Sequence, residues 1–125
     1  MKIRVLGKSG LEVSEIGLGC WQLGGDFGPV GDATAHDILA AAEEAGVNFW
    51  DTADVYGGGL SESRIREYVA SSGTDVTVAT KVGRDGALYP DGYTKEKVRA
   101  NIEGSLRRIG GDAIDLVQLH CVPPE

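Results

Sequence analysis

With 125 residues, a formal net charge of −7 and 42% apolar residues, the chain has the size and composition of one globular domain and is too apolar for a disordered segment. The acidic balance, without any basic stripe, excludes nucleic acid as an expected partner. Cys20 and Cys121 make no disulfide framework, which points to a reducing, cytoplasmic setting, and the apolar start Met1–Leu6, cut at once by Gly7 and Lys8, is too short for a signal peptide or a membrane span.

In chain order, residues 2–6 and 11–16 read as two short strands around Gly7-Lys8-Ser9-Gly10, which predicts a hairpin. The apolar run 16–21 reads as a buried strand, followed by a glycine-rich loop over 22–31 that carries Asp26 and Phe27. Asp32 or Thr34 is placed to cap a helix, with Asp37 in its first turn, an apolar face of Ile38, Leu39, Ala42 and Ala45, and Gly46 as its stop. Residues 47–50 read as the next strand. Beyond the Tyr56 loop, Ser61 is placed to cap a helix bearing Ile65, Tyr68 and Val69 that ends near Gly73. The β-branched run 76–82 is a third strand. A loop over 83–93 leads to a helix starting at Thr94, with Val98, Ile102, Leu106 and Ile109 on one face and Gly110-Gly111 at its end. Residues 114–120 are a fourth strand, and the chain breaks off over 122–125.

A hairpin followed by β-α-β-α-β-α-β implies a parallel sheet with right-handed crossovers. Both an open doubly wound sheet and a (β/α) barrel satisfy that order. Phosphate-loop signatures fail: Lys8 stands where a Walker loop needs glycine, and Gln22 stands where a dinucleotide fingerprint opening at Gly17 needs its third glycine. Gly57-Gly58-Gly59 before the Ser61 helix reads either as a flexible turn or as an anion cradle. His36, His120, Cys20 and Cys121 lack metal-ligand spacing, so no metal is expected.

Four polar groups form a pattern. Asp51, Lys81 and His120 each close an apolar strand, and Tyr56 follows one. The C-terminal ends of parallel strands are where α/β folds build sites. Singly, each residue has an ordinary explanation: a turn cap, a loop aromatic, a solvated strand end, a core histidine. Together on one rim they make chemical sense. A phenol, with a reference pKa of about 10, is a poor proton donor at neutral pH. A nearby ammonium favours its ionised form, a carboxylate keeps that ammonium charged and in place, and a neutral imidazole can orient a carbonyl oxygen. This set suits carbonyl reduction, with the hydride coming from a nicotinamide cofactor.

The stretches Gly17-Leu18-Gly19-Cys20-Trp21, Asp51-Thr52-Ala53-Asp54-Val55-Tyr56-Gly57, Ser61-Glu62, Thr80-Lys81, Ser105–Gly110 and Asp115–His120 resemble, in order, those of the aldo-keto reductase superfamily. The resemblance implies an α/β fold of the (β/α)8 TIM-barrel type, its bottom closed by the N-terminal hairpin, with about the first four β/α units present. It implies a catalytic tetrad of Asp51, Tyr56, Lys81 and His120 with Tyr56 as proton donor. It places Cys20, Trp21 and Asp51 beside the cofactor, and Trp21, Tyr56 and His120 beside a small-molecule carbonyl substrate, with the loop 22–31 lining the pocket. The cofactor implied is NADP(H), with NAD(H) as the alternative.

A barrel of this type takes roughly 200 residues or more, so residues 1–125 are expected to be one truncated domain, the N-terminal half of a barrel. The family residues that grip the cofactor amide, stack on the nicotinamide and bind the adenosine phosphate come mostly from the other half. Three readings follow: half of a reductase, a non-catalytic binding subunit, or an inactive half barrel. The last two would self-associate or need a complementing C-terminal half. The intact tetrad favours the first, because a binding role needs no paired Tyr56 and Lys81.

Overall fold

The structure, a computed structural model, describes residues 1–123. Ile3–Val5 (β1) and Glu12–Ser14 (β2) pair antiparallel, Ile3 opposite Ser14, as the turn residues between them predict. Asn48 fastens this hairpin to the rest of the chain. Its Oδ1 accepts from the Ser14 backbone N–H at 2.6 Å, its own backbone N–H donates to Ser14 Oγ at 3.1 Å, and its Nδ2 donates to the Glu12 carbonyl at 3.1 Å.

Four parallel strands follow: Leu18–Gly19 (β3), Phe49–Asp51 (β4), Thr77–Val82 (β5) and Leu116–Leu119 (β6). The helices Asp32–Glu44 (α1), Leu60–Ser72 (α2) and Lys95–Ile109 (α3) connect them in turn. Their order in the sheet is β3-β4-β5-β6, the order of the chain. An open doubly wound sheet reverses direction at a switch point, and this sheet does not, so the fold is of the barrel type. Asn48 stands just before β4, which puts the hairpin at the N-terminal, bottom ends of the strands.

Strand alternation divides the sheet into two faces. Trp50 and Val78 face the helices and pack with Ala35, Leu39, Ile65 and Tyr68 in the core. Asp51, Lys81 and Gln118 face the other way, toward the concave side. On the helix side of β6, Val117 and Leu119 are exposed, Leu119 at 73%.

The element ends differ from the sequence reading in informative ways. The strand expected over 16–21 is only Leu18–Gly19, because the chain turns into a 3-10 turn at Trp21–Gly24. Asp32 and Thr34 cap nothing: Gly31 is the N-cap of α1 without a side-chain bond, and the acidic residue of the first turn is Asp32, not Asp37. Ser61 does not cap α2. Gly59 takes that position in a left-handed conformation, and the buried Ser61 hydroxyl donates to the Cys20 carbonyl at 2.7 Å and pairs with Thr52 Oγ1 at 2.8 Å. Thr94 does cap α3, accepting from the Lys97 N–H. His120 and Cys121 lie just beyond β6, not on it. Pro124 and Glu125, within the expected final break, lie outside the described residues. No helix among the described residues is long and apolar enough to cross a membrane.

Among the described residues nothing pairs with the outer edges of β3 and β6. Open edges and exposed apolar side chains such as Leu119 favour association. The isolated chain is therefore expected to sediment as a dimer or larger species at micromolar concentration; a clean monomer with cooperative unfolding would contradict this.

Candidate active site

Each of the four rim residues is placed by a different piece of backbone. Asp51 ends β4, Lys81 is next to last in β5, His120 follows β6, and Tyr56 opens a 3-10 turn at Tyr56–Gly59. Parallel pairing sets Asp51 beside Ala79 and Lys81 beside Gln118, so the polar groups meet on one rim.

Lys81 is the centre of the cluster. Its side chain is only 13% exposed, and its Nζ donates to Asp51 Oδ2 at 2.9 Å, to the Thr52 carbonyl at 2.7 Å and to the Tyr56 hydroxyl at 3.2 Å. Three acceptors for three N–H bonds satisfy an ammonium that is largely removed from water. The second Asp51 oxygen accepts from Gln118 Nε2 at 2.9 Å. The Tyr56 ring stacks on Trp21 with centroids 5.8 Å apart and meets His120 edge-on at 6.2 Å.

Burial pushes the His120 pKa below its ordinary 6.5, and the positive charges of Lys81 and Arg84 push it the same way against the weaker pull of Asp51. The imidazole is therefore neutral at neutral pH and can donate one hydrogen bond to a neutral acceptor. Its Nδ1 is buried without a hydrogen-bond partner among the described residues. In an NMR titration His120 should protonate below pH 6.5. The folded chain binds this proton more weakly than the unfolded chain. His120 thus leaves stability unchanged above its unfolded pKa and lowers it as the pH falls from there through the folded value. A His120 midpoint at or above the ordinary value would contradict its burial on the rim beside Lys81.

Trp21 is presented at the site, 42% exposed, but Cys20 is not. The Cys20 side chain is fully buried in the core, its thiol directed at the Leu18 carbonyl, and burial, reinforced by the charge of Asp51, pushes its pKa up to about 12. Strand alternation thus turns the Cys20 side chain to the helix side, away from the face that carries Asp51 and Lys81. Sequence reasoning missed Gln118, which anchors Asp51. The signal was available: in the strand predicted over 114–120, Gln118 lies two residues before His120 and so on the same face.

Residues 15–125 match the aldo/keto reductase family. The chain belongs to that family. It is 39% identical to L-galactose dehydrogenase of Arabidopsis thaliana over 97% of its own length and 38% of that protein. Among solved structures it resembles an aldo-keto reductase of Bacillus halodurans in its holo form, at 39% identity and a TM-score of 0.80, covering 96% of this chain and 40% of that one. It also resembles an aldo-keto reductase of Klebsiella pneumoniae in complex with NADPH, at 26% identity and a TM-score of 0.73, covering 93% and 38%. These family structures are (β/α)8 barrels, and this chain has the fold of their first β/α units. It spans about two fifths of the length of the relatives it matches.

Proposed function

We propose that the protein built on these β/α units is a nicotinamide-dependent oxidoreductase that reduces an aldehyde or ketone to an alcohol. The observation that carries this reading is the Lys81 ammonium, 2.9 Å from Asp51 Oδ2 and 3.2 Å from the Tyr56 hydroxyl. Tyr56 gives its hydroxyl proton to the carbonyl oxygen as that oxygen gains charge. Lys81, held by Asp51, stabilises the negative charge left on the phenol oxygen. The neutral His120 donates a hydrogen bond that orients the carbonyl. Gln118 keeps Asp51 turned toward Lys81.

The donor set fits a nicotinamide: the rim can hold and move a proton, and none of its side chains can supply a hydride. The Asp51 side chain, 40% exposed, and Trp21 are the residues that would border such a group. A bound nicotinamide supplies the hydride. The family resemblance supports NADP(H), with NAD(H) as the alternative, and the NADPH complex of the Klebsiella relative agrees with the first. The carbonyl-bearing substrate is a small molecule. The intact constellation speaks against the non-catalytic reading.

A chimera in which this chain replaces the matching part of the Bacillus halodurans reductase is expected to oxidise NADPH when given benzaldehyde. A folded chimera unable to do so with NADPH or NADH would overturn the proposal. The isolated chain should bind NADPH only weakly, because the residues that grip the phosphates lie in other β/α units by the family resemblance. Quenching of Trp21 and Trp50 fluorescence measures this, and submicromolar affinity would mean that the cofactor site is misplaced.

A further inference from the structure

The loop after β3 carries a carboxylate that the reaction does not use. Asp26 Oδ2 accepts from the indole Nε1–H of Trp21 at 3.1 Å and from the backbone N–H of Gly57 at 3.0 Å. The two donors come from segments far apart in sequence, and Gly57 directly follows Tyr56. Hydrogen bonds to an ionised acceptor are about twice as strong as neutral ones.

The backbones on either side of this bond are in close contact. A Cβ on Gly24 would meet Gly57 N at 2.5 Å and the Tyr56 carbonyl carbon at 2.6 Å. Gly57 itself has a φ of 62° and would drive a Cβ into the Gly24 backbone. The two loops therefore touch where only glycine fits, and Asp26 closes the contact. Phe27 then covers Trp21, with ring centroids 4.3 Å apart. Trp21, so held, stacks on the Tyr56 ring.

We propose that Asp26 is a positioning residue whose carboxylate clamps the Trp21 indole to the Tyr56–Gly57 backbone and so fixes the aromatic wall beside the proton donor. The inference rests on the reading of this rim as the site of carbonyl reduction. The wall is aromatic, with Trp21 nearly parallel to Tyr56 at 22° and Phe27 tilted 60° to Trp21, which suits an aromatic carbonyl compound. Without the clamp, Trp21 keeps its stacking partners but loses the bond that fixes the orientation of its ring.

The test uses the full chain labelled with ¹⁵N and follows the Trp21 indole N–H, the Gly57 amide and the Trp50 indole N–H. Trp50 donates to the Val47 carbonyl in the core and reports on folding. In Asp26→Ala the Trp21 and Gly57 signals should both shift and exchange with solvent at least about tenfold faster, the loss of one hydrogen bond to a charged acceptor at each. Trp50 should not change. Asp26→Asn keeps an acceptor oxygen and should restore most of the protection. Trp21 and Gly57 signals unchanged in Asp26→Ala would overturn the proposal. If Asp26→Ala also disturbs Trp50, the parent chain and Asp26→Asn decide: protection of both N–H groups in both proteins supports the clamp, and its absence in the parent overturns it. The readout needs no turnover, so failure of the clamp and failure of the reductase reading give different results.

Discussion

Replacing Tyr56 with Phe is expected to lower kcat for benzaldehyde reduction by roughly 10²–10⁴-fold, the usual worth of general acid catalysis. The substitution removes one oxygen and leaves the ring on Trp21 and against His120. Lys81 loses its contact at 3.2 Å but keeps its shorter bonds to Asp51 and to the Thr52 carbonyl. Packing and the charge at the site therefore survive, and the loss isolates the proton. Kinetics of the chimeric barrel, with NADPH affinity measured alongside, check the result. Lys81→Met should also lower kcat, for a different reason: the hydroxyl remains but the charge that stabilises its anion is gone. Activity of a normally folded Tyr56→Phe protein within a few-fold of the parent would remove Tyr56 as the acid.

The strand–helix alternation and the rim were legible because both follow from simple periodicities, whereas the choice of a barrel over an open sheet rested on the family resemblance. Apolar runs ending in Asp51, Lys81 and His120 put those residues at corresponding ends of neighbouring strands, and parallel pairing brought them together in the structure. What failed to show was anything set by contacts across the fold. Ser61 has the chemistry of a helix cap, yet the left-handed glycines before it shift the helix start, and its hydroxyl is drawn to the Cys20 carbonyl instead. Cys20 and Trp21 are neighbours in sequence, but the first belongs to the core and the second to the site. Gln118 could be placed on the rim face from the strand pattern, but its bond to Asp51, 67 residues away, and the bond from Gly57 to Asp26, 31 residues away, are encoded by no local pattern.

Glu62 shows the same limit, and its removal should cost the most stability. Its position after Ser61 in α2 looks like an ordinary first-turn acid. In the fold it is fully buried and ties three elements together: Oε1 accepts from Thr80 Oγ1 of β5 at 2.6 Å, and Oε2 from Arg108 Nε of α3 at 2.6 Å. Removing one partner of a buried ion pair typically costs about 3–5 kcal/mol. The Arg108 side chain is 33% exposed and can turn to water, so the lower end of that range applies. Thr80 has no such escape: it is 1% exposed, and its hydroxyl would lose its acceptor, at about 1–3 kcal/mol. A small gain opposes these losses. The Asp54 pKa is raised first by burial and next by the charge of Glu62, so deleting that charge makes ionised Asp54 less costly at neutral pH. Burial, which remains, is the larger cause of that shift. Glu62→Ala is therefore expected to destabilise the chain by at least about 3 kcal/mol, and by up to about 6 with the Thr80 loss added, measured by urea unfolding. Glu62→Gln, which keeps an acceptor for Thr80 but not the charge for Arg108, should lose less. Thr80 adjoins Lys81, so the damage should also reach the rim as a loosened Lys81–Asp51 pair. An unfolding free energy for Glu62→Ala within about 0.5 kcal/mol of the parent, the effect of an ordinary surface change, would show that this buried network does not hold α2, β5 and α3 in register behind the site.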